Sequence, residues 1–447
     1  MKRLALAACL LLTLAAPAAA VDRYVPMKAP PGPGPDRYDR VFVQQLGPKG
    51  ARTVLVLVPG TNGGAGGITP VAREIVRRVP GSCATRGRCP RGSDGLQVWI
   101  VDRRQQALED TSVFRTGDPQ RAQDYYLGFQ YERVAGTDAK FAAEWGLKLQ
   151  LADLRSVVRR ARAGGRRVLL GGHSAGASTA VAYAAWDFGG RPGYRDLDGL
   201  VLIDGGLLGS FRSADLARAR PELADIRGGD VFNDVLGLGI PEINGIFTQV
   251  GALWAYRRPD EPSVLQQYPA LPDFVRPPFP VTNEALLGYA FDETTSPSLL
   301  SIIHIHAGRL ADSGDPRGWQ DGELTSLRRH AKAWAANDPN ATEWYYPRRL
   351  RLDIDAASPL RQTAAARYLG LRLMHGEHID VPLYAYSTDL TQGAVARGAR
   401  RLVRMSRVPS SRVVDDRTAA HIDPLSAGPR TNRFLKTVVP FLKRAAR

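Results

Sequence analysis

Gly172-His173-Ser174-Ala175-Gly176 sets a serine among small residues in the pattern G-x-S-x-G. A branched apolar run, "RRVLLGG" (Arg166–Gly172), precedes it, and an alanine-rich helical stretch follows. That context predicts a sharp strand-to-helix turn that lifts the Ser174 hydroxyl above a sheet. The chemistry it allows is attack on an acyl carbonyl, provided a histidine takes the hydroxyl proton. His421, in "RVVDDRTAAHIDPL", follows the last strand-like run and is the only histidine C-terminal to His378. A carboxylate must orient that imidazole and stabilise its cation. Asp389, ending "VPLYAYSTD", is the expected acid, giving the chain order Ser174, Asp389, His421. Asp204, ending "LVLID", is the main rival. Asp380 stands at the wrong end of its strand. Asp415, Asp416 and Asp423 suit turn caps better.

"TVLVLVPGTNGGAGGITPVAREIV" (Thr53–Val76) reads as strand, glycine loop and helix. Such a loop can cradle a phosphate on a helix N-terminus, or form half of an oxyanion hole. G-x-G-x-x-G fails at Thr69, and no G-x-x-x-x-G-K-[ST] occurs. Beside the serine motif, the oxyanion role is favoured. The expected donors are the Ala175 backbone N–H and that of Thr61, with Asn62 next.

Further strands are expected at Arg40–Leu46, Leu96–Asp102, Asp198–Gly206 and Arg412–Asp416. Helices are expected over Phe141–Ala163, Gln392–Met405 and Asn432–Ala446. Alternation of strand and helix predicts an α/β class with a mostly parallel, doubly wound sheet. The expected organisation is a signal peptide over 1–20, a Pro/Gly-rich linker over 21–39, core over 40–206, a cap insertion over 207–370 and core again over 371–447. The cap enters before the penultimate strand and is mainly helical. Its aromatic residues, among them Phe247, Trp254, Phe291, Trp334 and Trp344, supply its own core and part of an apolar pocket.

"PGTNGG", "GHSAG", "STD" and "HIDP" together resemble the α/β-hydrolase superfamily, in particular secreted bacterial serine esterases and lipase-like members. The resemblance covers about Val41–Gly206 and Val381–Arg447, not the insertion. It implies an α/β-hydrolase fold with Ser174 as nucleophile, Asp389 as acid and His421 as base. Many members carry His-Gly at the oxyanion loop, where this chain has Pro59-Gly60. The implied function is hydrolysis of carboxylic esters through an acyl-enzyme, with a small-molecule or lipid-like ester as substrate. A serine peptidase, an acyltransferase and a non-catalytic binding protein of the same fold are the alternatives.

Lys2-Arg3, the apolar stretch Leu4–Leu14 and Ala18-Ala19-Ala20 form a secretory signal pattern. The expected location is therefore outside the cytoplasm, without stable membrane insertion. Cys83 and Cys89 are expected to form a small-loop disulfide in that compartment. The formal charge is +16, and loss of Lys2 and Arg3 lowers it to +14. Its arginines are scattered and lack the basic, aromatic-interleaved stripe of a nucleic-acid groove, so no nucleic-acid partner is expected. Electrostatic contact with an acidic cell envelope is compatible with the charge. His304-Ile305-His306 and His375-Gly376-Glu377-His378 bring imidazoles together without a complete ligand set. A serine triad needs neither metal nor cofactor, and none is expected.

Overall fold

The computed structural model describes residues 20–79, 95–134, 138–209, 214–322 and 324–446. The signal segment up to residue 19, Cys83 and Cys89 lie outside the described residues. Eight strands form the main sheet: β1 (Ala20–Lys28), β2 (Arg40–Pro48), β3 (Thr53–Val58), β4 (Leu96–Asp102), β5 (Arg167–His173), β6 (Gly199–Ile203), β9 (Leu383–Ser387) and β10 (Ser411–Asp415). The cap contributes a separate hairpin, β7 (Gly308–Gly314) with β8 (Arg317–Asp321).

The spatial order is β1-β2-β4-β3-β5-β6-β9-β10. Pairing is parallel from β4 through β10, and antiparallel where β2 meets β1 and β4. The central strands read as unbroken apolar runs because both faces are covered. In β3 the pleat sends Val54, Val56 and Val58 to one core and Leu55 and Leu57 to the other. The first core includes residues of the helices Leu147–Arg162 and Ala175–Ala185. The second includes residues of the helices Ala65–Arg78 and Arg433–Ala445.

Two expectations need correction. The expected linker contains β1, which pairs along its whole length with β2. Apart from Pro26, which lies within β1, the linker's prolines and glycines follow Lys28, so only residues 29–39 lack a strand. The expected helix Phe141–Ala163 is a 3-10 turn (Lys140–Glu144) followed by a helix that starts at Leu147. Gly146 interrupts it, and Leu147 N–H at the helix start donates to Asp353 of the cap at 2.8 Å.

The cap occupies the connection between β6 and β9. The helices Ile243–Arg257, Asn283–Phe291 and Leu327–Trp334 make its centre. Its later segment, residues 339–346, runs back onto the loop after β3. Among the described residues no helix is long and apolar enough to cross a membrane.

Candidate active site

Ser174 lies between β5 and the helix Ala175–Ala185, with φ 55° and ψ −123°. That backbone conformation is strained for a residue with a side chain and persists only where the surroundings enforce it. Gly172 and Gly176 allow it. A Cβ on Gly176 would collide with the Val58 carbonyl, and one on Gly172 would strike both Gly176 and Val58. The turn is held from the other side by Ser174 N–H donating to Ile203 O at 2.9 Å. Ser174 is only 6% exposed.

His421 follows β10 and is fully enclosed. Its Nδ1 lies 2.6 Å from Asp204 Oδ2. Asp204 directly follows β6 and has φ 44°. Its Oδ1 accepts the Thr388 N–H at 2.7 Å, and its Oδ2 also accepts the Thr388 hydroxyl. Burial alone would raise the Asp204 pKa, but these hydrogen bonds from His421 and Thr388 hold it below the ordinary carboxylate range. An ionised Asp204 accepts from Nδ1–H, which leaves the His421 Nε2 lone pair free to take a proton.

Asp389 does not reach His421. Its carboxylate is partly exposed, accepts from Gln392 Nε2 at 2.9 Å and faces Arg417 at 3.7 Å. The strand ends at Ser387, and Thr388 is the residue that turns inward. The acid position expected for Asp389 is therefore filled by Asp204, the rival named from sequence. Asp416 and Asp423 accept nearby backbone N–H groups, Thr418 at 3.2 Å and Ala420 at 2.8 Å respectively.

His173 was not assigned a role from sequence. Its Nε2–H donates to the His421 carbonyl at 2.9 Å, and the two rings lie 4.3 Å apart. Burial, with the neighbouring His421 ring, lowers its pKa to about 3, so it stays a neutral donor. It thus ties the serine turn to the His421 loop. Gly205 completes the contact, because a Cβ there would collide with the Ser174 backbone.

Gly60 brings the loop after β3 against this turn. A Cβ built on it would sit 3.0 Å from Ser174 Cβ and 3.3 Å from His173 Nδ1. The N–H groups of Thr61 and Ala175 find no acceptor among the described residues. The later glycines serve a different end. Gly64 N–H donates to Ala341 O and Gly66 N–H to Asn340 O, both at 2.8 Å, while Ala65 N–H donates to Asp102 Oδ1 at 2.6 Å. The N-terminus of the helix Ala65–Arg78 is therefore filled by the protein itself, which leaves no phosphate cradle there. Side chains at Gly64 or Gly66 would collide with the backbone of residues 339–342.

One histidine of each pair has a carboxylate partner. His306 lies between Asp423 (Nδ1 to Oδ2, 2.6 Å) and Glu293 (Nε2 to Oε2, 2.7 Å). His375 faces Asp187 at 3.4 Å. Among the described residues no group of three or more His, Cys, Asp or Glu side chains is arranged to hold a metal ion.

Within the cap, Phe247, Trp254, Leu286, Phe291, Leu300 and Ile303 line a largely apolar cavity of about 730 Å³, open mouth included. Ile303 adjoins His304, whose carbonyl accepts the Ile422 N–H at 3.1 Å. One wall of the cavity is thus fixed to the His421 loop. Trp344, Tyr345 and Tyr346 are instead part of the packed core.

Strand order, a serine on the β5 turn and a buried His–Asp pair after β10 and β6 together define the α/β-hydrolase fold. No protein-family model and no curated protein matches the sequence. Solved structures similar to the chain include a presumed lipase from Sulfolobus solfataricus, at 15% identity over 97% of this chain and 98% of that one, with a TM-score of 0.48. Epoxide hydrolase A from Mycobacterium thermoresistibile is 14% identical over 95% and 98%, with a TM-score of 0.42. A thermophilic esterase from Thermogutta terrifontis is 12% identical over 95% and 100%, with a TM-score of 0.41.

Proposed function

We infer that the protein is a secreted serine hydrolase that cleaves carboxylic esters through Ser174, His421 and Asp204. The observation that carries this reading is the buried 2.6 Å contact between His421 Nδ1 and Asp204, tied through His173 to the strained Ser174 turn. Ser174 Oγ attacks the ester carbonyl while His421 Nε2 takes its proton. Asp204 stays ionised and stabilises the imidazolium. The oxyanion accepts from the Ala175 and Thr61 N–H groups, and loss of one such donor typically costs about 3 kcal/mol of barrier. His421 then protonates the leaving alkoxide, and water attacks the acyl-Ser174 ester by the same route in reverse. Export by the N-terminal signal pattern belongs to this reading. Envelope contact draws no support from the structure and is not part of it.

The apolar cap cavity supports an ester with an apolar acyl or alcohol group. The test is a series of p-nitrophenyl esters of increasing chain length, run on wild type and Ser174→Ala. Wild type should turn over at least one of them, with the variant about 10⁴-fold slower or worse. Equal rates in both proteins would remove Ser174 from the chemistry.

A further inference from the structure

We propose that Arg103 and Glu343 are positioning residues that aim the oxyanion loop, with Glu343 supplied by the cap. This rests on the serine hydrolase reading and specifies what holds one part of that site in place.

Arg103 follows β4 directly and is 4% exposed at its side chain. Its Nη2 donates to the carbonyls of Pro59 (2.5 Å) and Gly60 (3.2 Å). The Gly60–Thr61 peptide is trans, so its C=O and N–H point in opposite directions. Pinning the Gly60 carbonyl on Arg103 turns the Thr61 N–H to the face away from the guanidinium. Gly60 itself lies against Ser174. Arg103, with the Gly63 N–H that donates to the same Gly60 carbonyl at 3.3 Å, therefore fixes the peptide that carries the expected oxyanion donor. Pro59 fits this arrangement, since its carbonyl is used and it has no N–H to satisfy.

Glu343 holds the opposite end of the loop. Its Oε2 lies 2.9 Å from Arg103 Nη1, and its side chain is 1% exposed. Its backbone N–H donates to Asn62 O at 2.9 Å, and its carbonyl accepts from Asn62 Nδ2 at 3.1 Å. Asn62 sits at φ 53°, a left-handed conformation that needs such support. Asn233, also from the cap, donates to Asn62 Oδ1 at 3.0 Å. Arg103 further lies over the Tyr346 ring at 5.2 Å. A buried guanidinium and carboxylate cost desolvation that their attraction recovers only with good geometry. Here the pair is placed where that rigidity sets the donor direction. The oxyanion hole is thus complete only with residues 339–346 of the cap docked.

The test compares wild type with Arg103→Met/Glu343→Met, which removes both charges together and leaves neither buried alone. Three quantities are read: kcat and KM on a p-nitrophenyl ester, inhibition by a trifluoromethyl ketone whose adduct carries an oxyanion, and thermal midpoint. The expected result is a fall in kcat of about 100-fold with KM little changed, and an equal loss of ketone affinity. Glu343→Gln keeps an acceptor for Arg103 and both backbone bonds to Asn62, so it should retain activity within about tenfold of wild type. An unchanged kcat, or an equal loss in KM and thermal midpoint without loss of ketone affinity, would overturn the proposal. Should the double variant not fold, Arg103→Lys provides the readout, since Lys cannot span both carbonyls and Glu343 at once. Wild-type activity in Arg103→Lys would equally overturn it. Labelling of Ser174 by a fluorophosphonate separates this idea from the ester reading. If wild type labels but hydrolyses no ester, slower labelling of the variant still supports the clamp and equal labelling refutes it. If wild-type Ser174 does not label, both ideas fail.

Discussion

At the scale of single residues, the proposed acid is the carboxylate that is dry, ionised and adjacent to His421. Asp204 meets all three conditions, with Thr388 donating twice to it. Asp389 is partly solvated and engaged with Gln392. Asp204→Asn should therefore lower kcat by about 10³–10⁴-fold, because the amide no longer holds the productive imidazole tautomer. Asp389→Asn should stay within about twofold, as a surface change away from the chemistry. Steady-state kinetics on one activated ester distinguishes them, and the reverse ranking would restore Asp389. Chain order alone could not separate the two, since both aspartates follow strands of the parallel sheet. The visible sign for Asp204 was its place in "LVLIDGG", an aspartate among apolar and glycine residues.

At the scale of elements, the loop after β3 is built over a buried acidic cluster. Burial pushes Asp102 up to about 7, against hydrogen bonds from Tyr24 and Ala65 that favour its charge. Burial also raises Glu109 well above the ordinary carboxyl range, against hydrogen bonds from the Trp344 N–H and Asn340 that favour its charge. The folded protein thus keeps protons that the unfolded chain, with ordinary carboxyl groups, releases at lower pH. The sign follows from linkage: where the native state binds more protons, stability falls as pH rises. Thermal midpoints should decline from about pH 5 to about pH 8 on account of these groups. Asp102→Asn should flatten that decline, since the amide oxygen can still accept from Ala65. A slope unchanged by this variant would show that Asp102 is already ionised across the range. The glycines of the same loop were legible as a tight-turn signal. Their reason was not, because the backbone that Gly64 and Gly66 meet lies at residues 339–342, far along the chain.

At the scale of the whole molecule, the cap supplies an apolar cavity, one wall of which is tied to the His421 loop through the Ile422 N–H and the His304 carbonyl. Gly251 lines that cavity from within the helix Ile243–Arg257. A Cβ there meets its nearest neighbour, Leu265, at an ordinary 3.6 Å. Gly251→Leu should fill the cavity and shift preference to shorter esters, with at least about a tenfold loss in kcat/KM for long ones. Its thermal midpoint should hold or rise, because leucine favours the helix more than glycine does. An unaltered chain-length profile would separate the cavity from the substrate path.

What the sequence determined by itself was local and periodic. Apolar runs marked seven of the eight main-sheet strands, the small residues around Ser174 marked the turn, and the order of elements placed His421 after the last strand. These follow from backbone sterics and side-chain pattern within a few residues. β1 escaped because Pro26 lies inside it and a run of prolines and glycines follows it directly, and an edge strand tolerates proline and needs little apolar patterning. Tertiary structure alone decided the partner of His421, the role of His173 and the grip of Arg103 and Glu343 on the loop. Each depends on a contact between groups tens to hundreds of residues apart. Which of several carboxylates loses its water, and which charge it meets there, is fixed only when the sheet and cap close over them.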